Sequence, residues 1–303
     1  MRKTVYATTV AAVFTACLVI ITGCASLEKP AKPAAVPEIR PGILAGYLTP
    51  KDLPSSLTLL PPPPGAESVA FTLDENIYRK TRVLRGTARW ELATEDANMM
   101  FPQAAGIFSC ALNAPITEED TPHLYMLLRR TLTDAGLSTY TAKNQYERTR
   151  PFAMYKEATC TPDQEKVLVT DGSYPSGHAA FGWAWALILS EISPEQTDAL
   201  LARGLAFGQS RVICGVHWQS DVIEGRSIGA GTAARLHADP AFRSDLEAAK
   251  TELAAVRAKG LKPTRNCKAD WNCGRGHSLL HIQRATIPAM PVTRAALMET
   301  IQW

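Results

Sequence analysis

The sequence predicts an all-α protein built as one helical domain, and three observations carry that prediction. Apolar residues recur at helical spacing through several long segments, many of them opened by a capping residue or a proline. No convincing set of alternating strands interrupts them. The composition, 46% hydrophobic and 20% charged over 303 residues, fits a globular chain long enough to close its own core.

The elements follow in order. Arg2 and Lys3 precede a mostly apolar run from about Val10 to Ile21, too short to span a membrane comfortably. This is the order of an export signal, assigned here to residues 1–23. It ends in Ile21-Thr22-Gly23-Cys24, which resembles a bacterial lipoprotein box with Ile in place of the usual Leu. Cleavage before Cys24 would expose a cysteine for lipidation, and a multiply acylated cysteine anchors firmly. Ordinary signal cleavage slightly further on is the alternative. Residues 24–41, rich in Pro, Ala, Lys and Glu, read as a tether.

The helical domain is assigned to residues 42–260. Leu59-Leu60 and the prolines 61–64 form a stiff extended start. Helical patterns follow at Leu73 to Glu95 and at Thr121 to Ala135, where Thr121 can cap and Pro122 can take the first helical position. Ser176 to Ile192 is strongly apolar and holds Trp183 and Trp185. Pro194 to Gln209 is preceded by Ser193 as a cap. Val216 to Ala234 carries Gly225, Gly229, Ala230 and Gly231, small enough for close helix contact. Asp239 to Lys259 is amphipathic and charged. The tail, 261–303, has a weak pattern. Its Cys267, Cys273, His277 and His281 do not match common zinc spacing.

A net charge of +3, from 32 basic and 29 acidic residues, gives no support to nucleic-acid binding. Seven cysteines suit an oxidising envelope. Cys17 would leave with the signal. A Cys267–Cys273 loop and a Cys110–Cys160 pair, with Cys214 free, are the expected pairing, although sequence does not dictate connectivity.

Three segments carry chemistry. Lys143-x6-Arg150-Pro151 and Arg211 supply three cations, two of them guanidinium forks suited to a tetrahedral oxyanion. Ser176 and Gly177 in Pro175-Ser176-Gly177-His178 precede an apolar helix, so their N–H groups and the Ser hydroxyl can form an anion site, with His178 in the first turn. In Ser210-Arg211-x5-His217-x3-Asp221, His217 and Asp221 stand four apart and are expected to share a helix face. Asp221 would then hold one imidazole nitrogen and leave the other as nucleophile. Each segment alone has an ordinary reading as a turn, a helix pair or a solvated face. Together they supply complementary roles.

This set resembles the bacterial class A non-specific acid phosphatases, within the type 2 phosphatidic acid phosphatase superfamily that includes vanadium haloperoxidases. The superfamily pattern Lys-x6-Arg-Pro, Pro-Ser-Gly-His and Ser-Arg-x5-His-x3-Asp is filled at every position. Leu60 to Pro64, Phe71 to Tyr78, Asp134-Ala135-Gly136, Ala142-Lys143 and Gly172 to Ala179 carry the class A likeness, which spans about residues 42–250. The resemblance implies a helical bundle and a phosphomonoester hydrolase that uses no metal and no cofactor. His217 would form a phosphohistidine, with Asp221 orienting it and His178 as acid and base. Lys143, Arg150, Ser176, Gly177 and Arg211 would bind phosphate. The substrates implied are small phosphomonoesters such as nucleotides, sugar phosphates and aryl phosphates, with inorganic phosphate or vanadate as inhibitors.

The expected location is the cell envelope, as a periplasm-facing or outer-membrane lipoprotein or as a soluble periplasmic protein. Membrane contact would come only through the N-terminal lipid, and the family is compatible with a homo-oligomer. A lipid phosphatase and a vanadate-dependent haloperoxidase share the motifs and stand as alternatives.

Overall fold

The structure, a computed structural model, describes residues 32–267. The chain enters through a small antiparallel hairpin, β1 (Glu38–Arg40) and β2 (Ile43–Leu44), with Glu38 opposite Leu44. Strand β1 therefore lies inside the stretch read as tether.

Nine longer helices follow among the described residues. The pattern read at 73–95 is two helices, α1 (Val69–Thr81) and α2 (Ala88–Glu95). The chain breaks between them at Gly86, whose φ of +74° a helix cannot continue through. Thr87 then opens α2 by accepting from Trp90 N. Next come α3 (Pro122–Leu137), α4 (Tyr140–Tyr146) and α5 (Pro151–Tyr155). Helix α6 (Gly177–Ile192) is followed by α7 (Thr197–Cys214), α8 (Gln219–Leu236) and α9 (Pro240–Ala258).

Thr121 stands at the start of α3 but does not cap it. Its hydroxyl instead accepts from Thr117 N, and the Glu252 carboxylate of α9 accepts from the backbone of His123 and Leu124. Ser193 likewise does not cap α7, which starts after a separate turn at Pro194–Gln196. Its hydroxyl takes a hydrogen bond from Arg257. At α3 a partner distant in sequence thus replaces the local cap, whereas the Ser193 hydroxyl also donates to nearby Glu195 Oε1 at 2.9 Å.

Helix α6 is the centre of the bundle, packed against α3, α7, α8 and α9. Its apolar composition all round follows from burial on nearly every side. Trp185 is fully buried and satisfies its indole N–H on Leu128 O and Thr131 Oγ1 at 3.2 and 3.1 Å. The anticipated close helix contact is made by Gly225 and Gly229 of α8. A Cβ on Gly225 would stand 2.5 Å from Ser176 O, so α8 can approach the start of α6 only without one. Gly231 faces Leu59 instead. No helix among the described residues is long and apolar enough to cross a membrane.

The cysteines pair as Cys110–Cys267 and Cys160–Cys214, which overturns the expected Cys110–Cys160 bridge, the Cys267–Cys273 loop and the free Cys214. Tertiary proximity decides the pairing. Cys160 lies alongside the end of α7, where its N–H donates to Cys214 O at 3.2 Å. Cys110 lies near the segment in which Arg265 reaches Gly106 O. Cys24, Cys273, His277 and His281 lie outside the described residues.

Candidate active site

Five chain segments converge at one end of the bundle. Lys143 comes from α4, and Arg150 is the residue immediately before α5. Ser176 caps α6, with Gly177 and His178 in its first turn. Arg211 lies in the last turn of α7, which Gly215 ends with φ +86°. His217 lies in the loop that follows, and Asp221 lies in the first turn of α8.

His217 and Asp221 therefore do not share a helix face as expected. Their contact comes from a cap: Asp221 Oδ2 accepts from Trp218 N at 2.8 Å, and this folds the carboxylate back towards the residue before the helix. His217 Nδ1 is 3.4 Å from Asp221 Oδ2 and 3.4 Å from Ser173 Oγ. The Ser173 hydroxyl donates to the same Oδ2. On the other side of the ring, Arg150 Nη1 lies 3.1 Å from His217 Nε2. These partners assign the neutral ring its proton on Nδ1 and its lone pair on Nε2.

Asp221 is completely buried yet ionised. Burial pushes its pKa up, but His217, the Arg148 guanidinium and Ser173 outweigh burial and hold it well below the usual carboxylate range. Arg148 Nη1 donates to Asp221 Oδ1 at 2.6 Å, and Arg148 Nη2 to Asp74 Oδ2 at 2.9 Å. Ser220 completes this network by donating its N–H to Asp74 Oδ1. Burial, and next the charge of Arg150, press the His217 pKa well down.

His178 points its Nε2 at Ala97 O, 3.2 Å away, and packs against the rings of Phe181 and Phe207. Its pKa is also pressed well down, by burial and then by Arg211, with smaller contributions from His217 and Arg150. It makes no direct hydrogen bond to His217, and its side chain stays partly accessible.

The three cations differ in what holds them. Burial, and then Arg150, lower the Lys143 pKa to about 8. Its ammonium contacts Asp171 Oδ2 at 3.2 Å and also Gly172 O. Arg150 donates to Leu168 O, Asp171 O and Val216 O, as well as to Asp171 Oδ2 and His217. Arg211 is 1% exposed, and its Nε and Nη1 have no hydrogen-bond partner. Burial and the nearby Arg150 lower its pKa to about 9. A buried guanidinium with idle donors is costly unless an anion completes it.

Ser176 contributes less backbone than expected. Its N–H is committed to Asp221 O at 2.9 Å, which leaves the Gly177 N–H of the expected pair. Its hydroxyl oxygen accepts from Ala179 N, so the hydroxyl proton is free to be donated. Ser210, next to Arg211 in sequence, belongs to another network with Asp96 and Arg89.

Sequence reasoning missed Asp74, Arg148, Asp171 and Ser173. Ser173 and Asp171 fall just before the Pro175-Ser176-Gly177-His178 motif, and Arg148 falls inside Lys143-x6-Arg150, so proximity to the motifs was the available signal. Asp74 falls within the Phe71 to Tyr78 stretch of the class A likeness, but nothing local ties it to the site, since it meets Ser220 from 146 positions away.

A model of the PAP2 superfamily matches residues 123–244, which contain every site residue named from the sequence apart from Cys24. The chain is 50% identical over 213 residues to a non-specific acid phosphatase of Providencia stuartii, covering 70% of this chain and 86% of that protein. A non-specific acid phosphatase of Salmonella typhimurium is 45% identical over 208 residues, 68% of this chain and 83% of its own length. An acid phosphatase of Zymomonas mobilis is 38% identical over 237 residues, 73% and 90% of the two chains. With this identity over most of the relatives' length, the chain belongs to the non-specific acid phosphatase family of the PAP2 superfamily.

Proposed function

We propose that this protein hydrolyses a broad range of small phosphomonoesters, including nucleotides, sugar phosphates and aryl phosphates, through a phosphohistidine at His217. The observation that carries the reading is the pairing of a tautomer-fixed imidazole, its Nε2 facing Arg150, with a buried Arg211 whose donors are idle. In the first step His217 Nε2 attacks phosphorus and the bond to the leaving oxygen breaks. His178 gives that oxygen a proton. The positive charge that develops on His217 is stabilised by ionised Asp221. In the second step His178 takes a proton from water, the resulting hydroxide attacks phosphorus, and the P–N bond breaks to release phosphate.

Lys143, Arg150 and Arg211, with the Ser176 hydroxyl and the Gly177 N–H, hold the equatorial oxygens. Cations and oriented imidazoles supply the charge stabilisation and proton transfers of this scheme. His178 must be protonated for the first step. Burial and Arg211 press its pKa down, whereas a bound phosphate dianion raises it, so activity falls as pH rises through the pKa of the complex. This sign gives an acidic optimum.

The test is rapid acid-free quench during turnover, followed by mass spectrometry for acid-labile phosphate. Label on His217 is the expected result. An active enzyme that carries label elsewhere, or none, rejects the assignment. His178→Ala should spare aryl phosphates more than alkyl phosphates, because aryl alcohols leave with less help from an acid.

We also propose export and lipidation at Cys24. The order of residues 1–24 supports this, as do two disulfides that suit an oxidising compartment. Palmitate labelling of the expressed chain that survives Cys24→Ala would contradict it.

A further inference from the structure

Two of the three cations assigned to the phosphate already hold an anion. Asp171 Oδ2 accepts from both Lys143 Nζ at 3.2 Å and Arg150 Nη2 at 2.9 Å. The cations are nearly sealed, with side chains 4% and 2% exposed, whereas the Asp171 side chain is 30% exposed. Its carboxylate is thus the solvent-accessible member of this cluster, the one that an incoming anion could displace. The other partners of these cations are mainly backbone carbonyls: Gly172 O for Lys143, and Leu168 O, Asp171 O and Val216 O for Arg150. Those partners are built into the chain path. The segment itself is seated firmly, because a Cβ on Gly172 would stand 2.7 Å from Lys143 O. The carboxylate of Asp171 can leave by side-chain rotation alone, without moving that backbone.

We propose that Asp171 is an internal anion that holds Lys143 and Arg150 in the unliganded site, gives way to the phosphoryl group, and thereby limits how tightly phosphate is held. The inference rests on the reading of Lys143, Arg150 and Arg211 as the phosphate ligands. Its physical basis is competition between two anions for the same N–H donors. While it remains near those donors, the tethered carboxylate also repels an arriving dianion. Product phosphate feels the same repulsion as substrate, so Asp171 weakens product retention as well. Arg211, which has no such internal partner for Nε and Nη1, is left as the first anchor for the incoming group.

Asp171 is a positioning and affinity-setting residue in this account, not a group that transfers protons. Its removal should have an effect that structural damage does not produce, namely tighter anion binding. Asp171→Asn and Asp171→Ser both delete the charge. Asp163→Asn deletes an exposed carboxylate earlier in the same connection and serves as the control for general charge.

The measurement is isothermal titration calorimetry of the full chain with inorganic phosphate at one fixed pH, alongside the KM for p-nitrophenyl phosphate. We expect phosphate Kd to fall about tenfold in both Asp171 variants, with KM falling in parallel. Asp163→Asn should stay within about twofold of the unaltered protein, because an exposed charge is screened. Unchanged or weaker phosphate binding in both Asp171 variants, at an unchanged melting temperature, would overturn the inference. Equal tightening in Asp163→Asn would overturn it too, by making the effect one of general charge. Absence of phosphate binding to the unaltered protein would instead reject the phosphate-site reading, and this inference with it.

Discussion

Helix α7 carries two buried arginines about two turns apart, and they are treated in opposite ways. Arg203 is fully occupied: it forms a two-pronged pair with Asp96 and donates from Nε to Ile107 O. Arg211 lies deeper, and its Nε and Nη1 have no partner. Arg203 is finished by the protein and belongs to the fold. Arg211 is left unfinished, with idle donors that an anionic ligand would complete. Ser210 falls on the structural side of this division although it adjoins Arg211, since its hydroxyl donates to Asp96 Oδ2. Membership of a motif therefore does not assign a residue to the site; the partner does.

The largest expected effect separates the two arginines. Arg211→Met should lower kcat/KM for p-nitrophenyl phosphate about 10³-fold, or about 4 kcal/mol, because donors aimed at developing charge act most strongly in the transition state. Urea unfolding of the same variant should show stability unchanged or increased, since an unpaired buried cation is lost. Phosphate should also stop protecting it against unfolding, whereas the unaltered protein gains about 2.7 kcal/mol at a hundred times its Kd. Arg203→Met should do the reverse. It strands the Asp96 carboxylate in the core and should cost about 3 kcal/mol of stability, while phosphate Kd in the folded fraction stays within about threefold. A large stability loss in Arg211→Met would erase the distinction.

Arg148 is the intermediate case, because both of its Nη atoms are paired and yet it touches Asp221. Its charge helps keep that carboxylate ionised, although burial alone would favour the neutral acid. Arg148→Gln should lower kcat about 10²-fold, or about 2.7 kcal/mol, with KM changed less than threefold. It should also shift the pH profile, since an Asp221 that protonates more readily stops supporting charge on His217 at low pH. The falling acid limb would then move to higher pH. Equal changes in kcat and KM with no shift in the profile would make Arg148 a purely structural residue.

The three chemical segments were legible in the sequence because each is local: cations seven apart, a capped helix start, and a His–Asp pair four apart. The long helices were legible for the same reason. What stayed hidden depends on tertiary approach. Ser173 meets Asp221 across 48 positions, and Arg148 meets Asp74 across 74. The disulfides span 157 and 54 positions, and no spacing rule selects such partners over nearer cysteines. The i, i+4 spacing of His217 and Asp221 predicts a shared helix, because such a pair usually implies one. The αL residue Gly215 and the Asp221 cap produce the same proximity without a helix.

The smallest expected effect tests a buried charge at a distance from the site. Asp134 of α3 is 1% exposed and accepts from Tyr47 N and Leu48 N at 2.9 and 3.0 Å, fastening the entry segment to the bundle. Burial raises its pKa from 3.8 to about 6, against the lowering effect of those two N–H groups. A carboxyl whose pKa is higher folded than unfolded binds more protons in the folded state between these values. Its contribution to stability is therefore greatest below about pH 4 and is lost as pH rises through about 6. The loss should be on the order of 2 kcal/mol between pH 4 and pH 7.5. His178 and His217, pressed below their ordinary range, act in the opposite sense, so the total profile of the protein does not isolate Asp134. The difference between the unaltered protein and Asp134→Asn does isolate it. The variant lacks the titration and leaves one backbone N–H without an oxygen acceptor, so it should be less stable at every pH, with a deficit that shrinks by about 2 kcal/mol from pH 4 to pH 7.5. A deficit that is constant over that range would show that Asp134 stays ionised when buried, as the completed arginines do, and would place it with the paired charges of the fold.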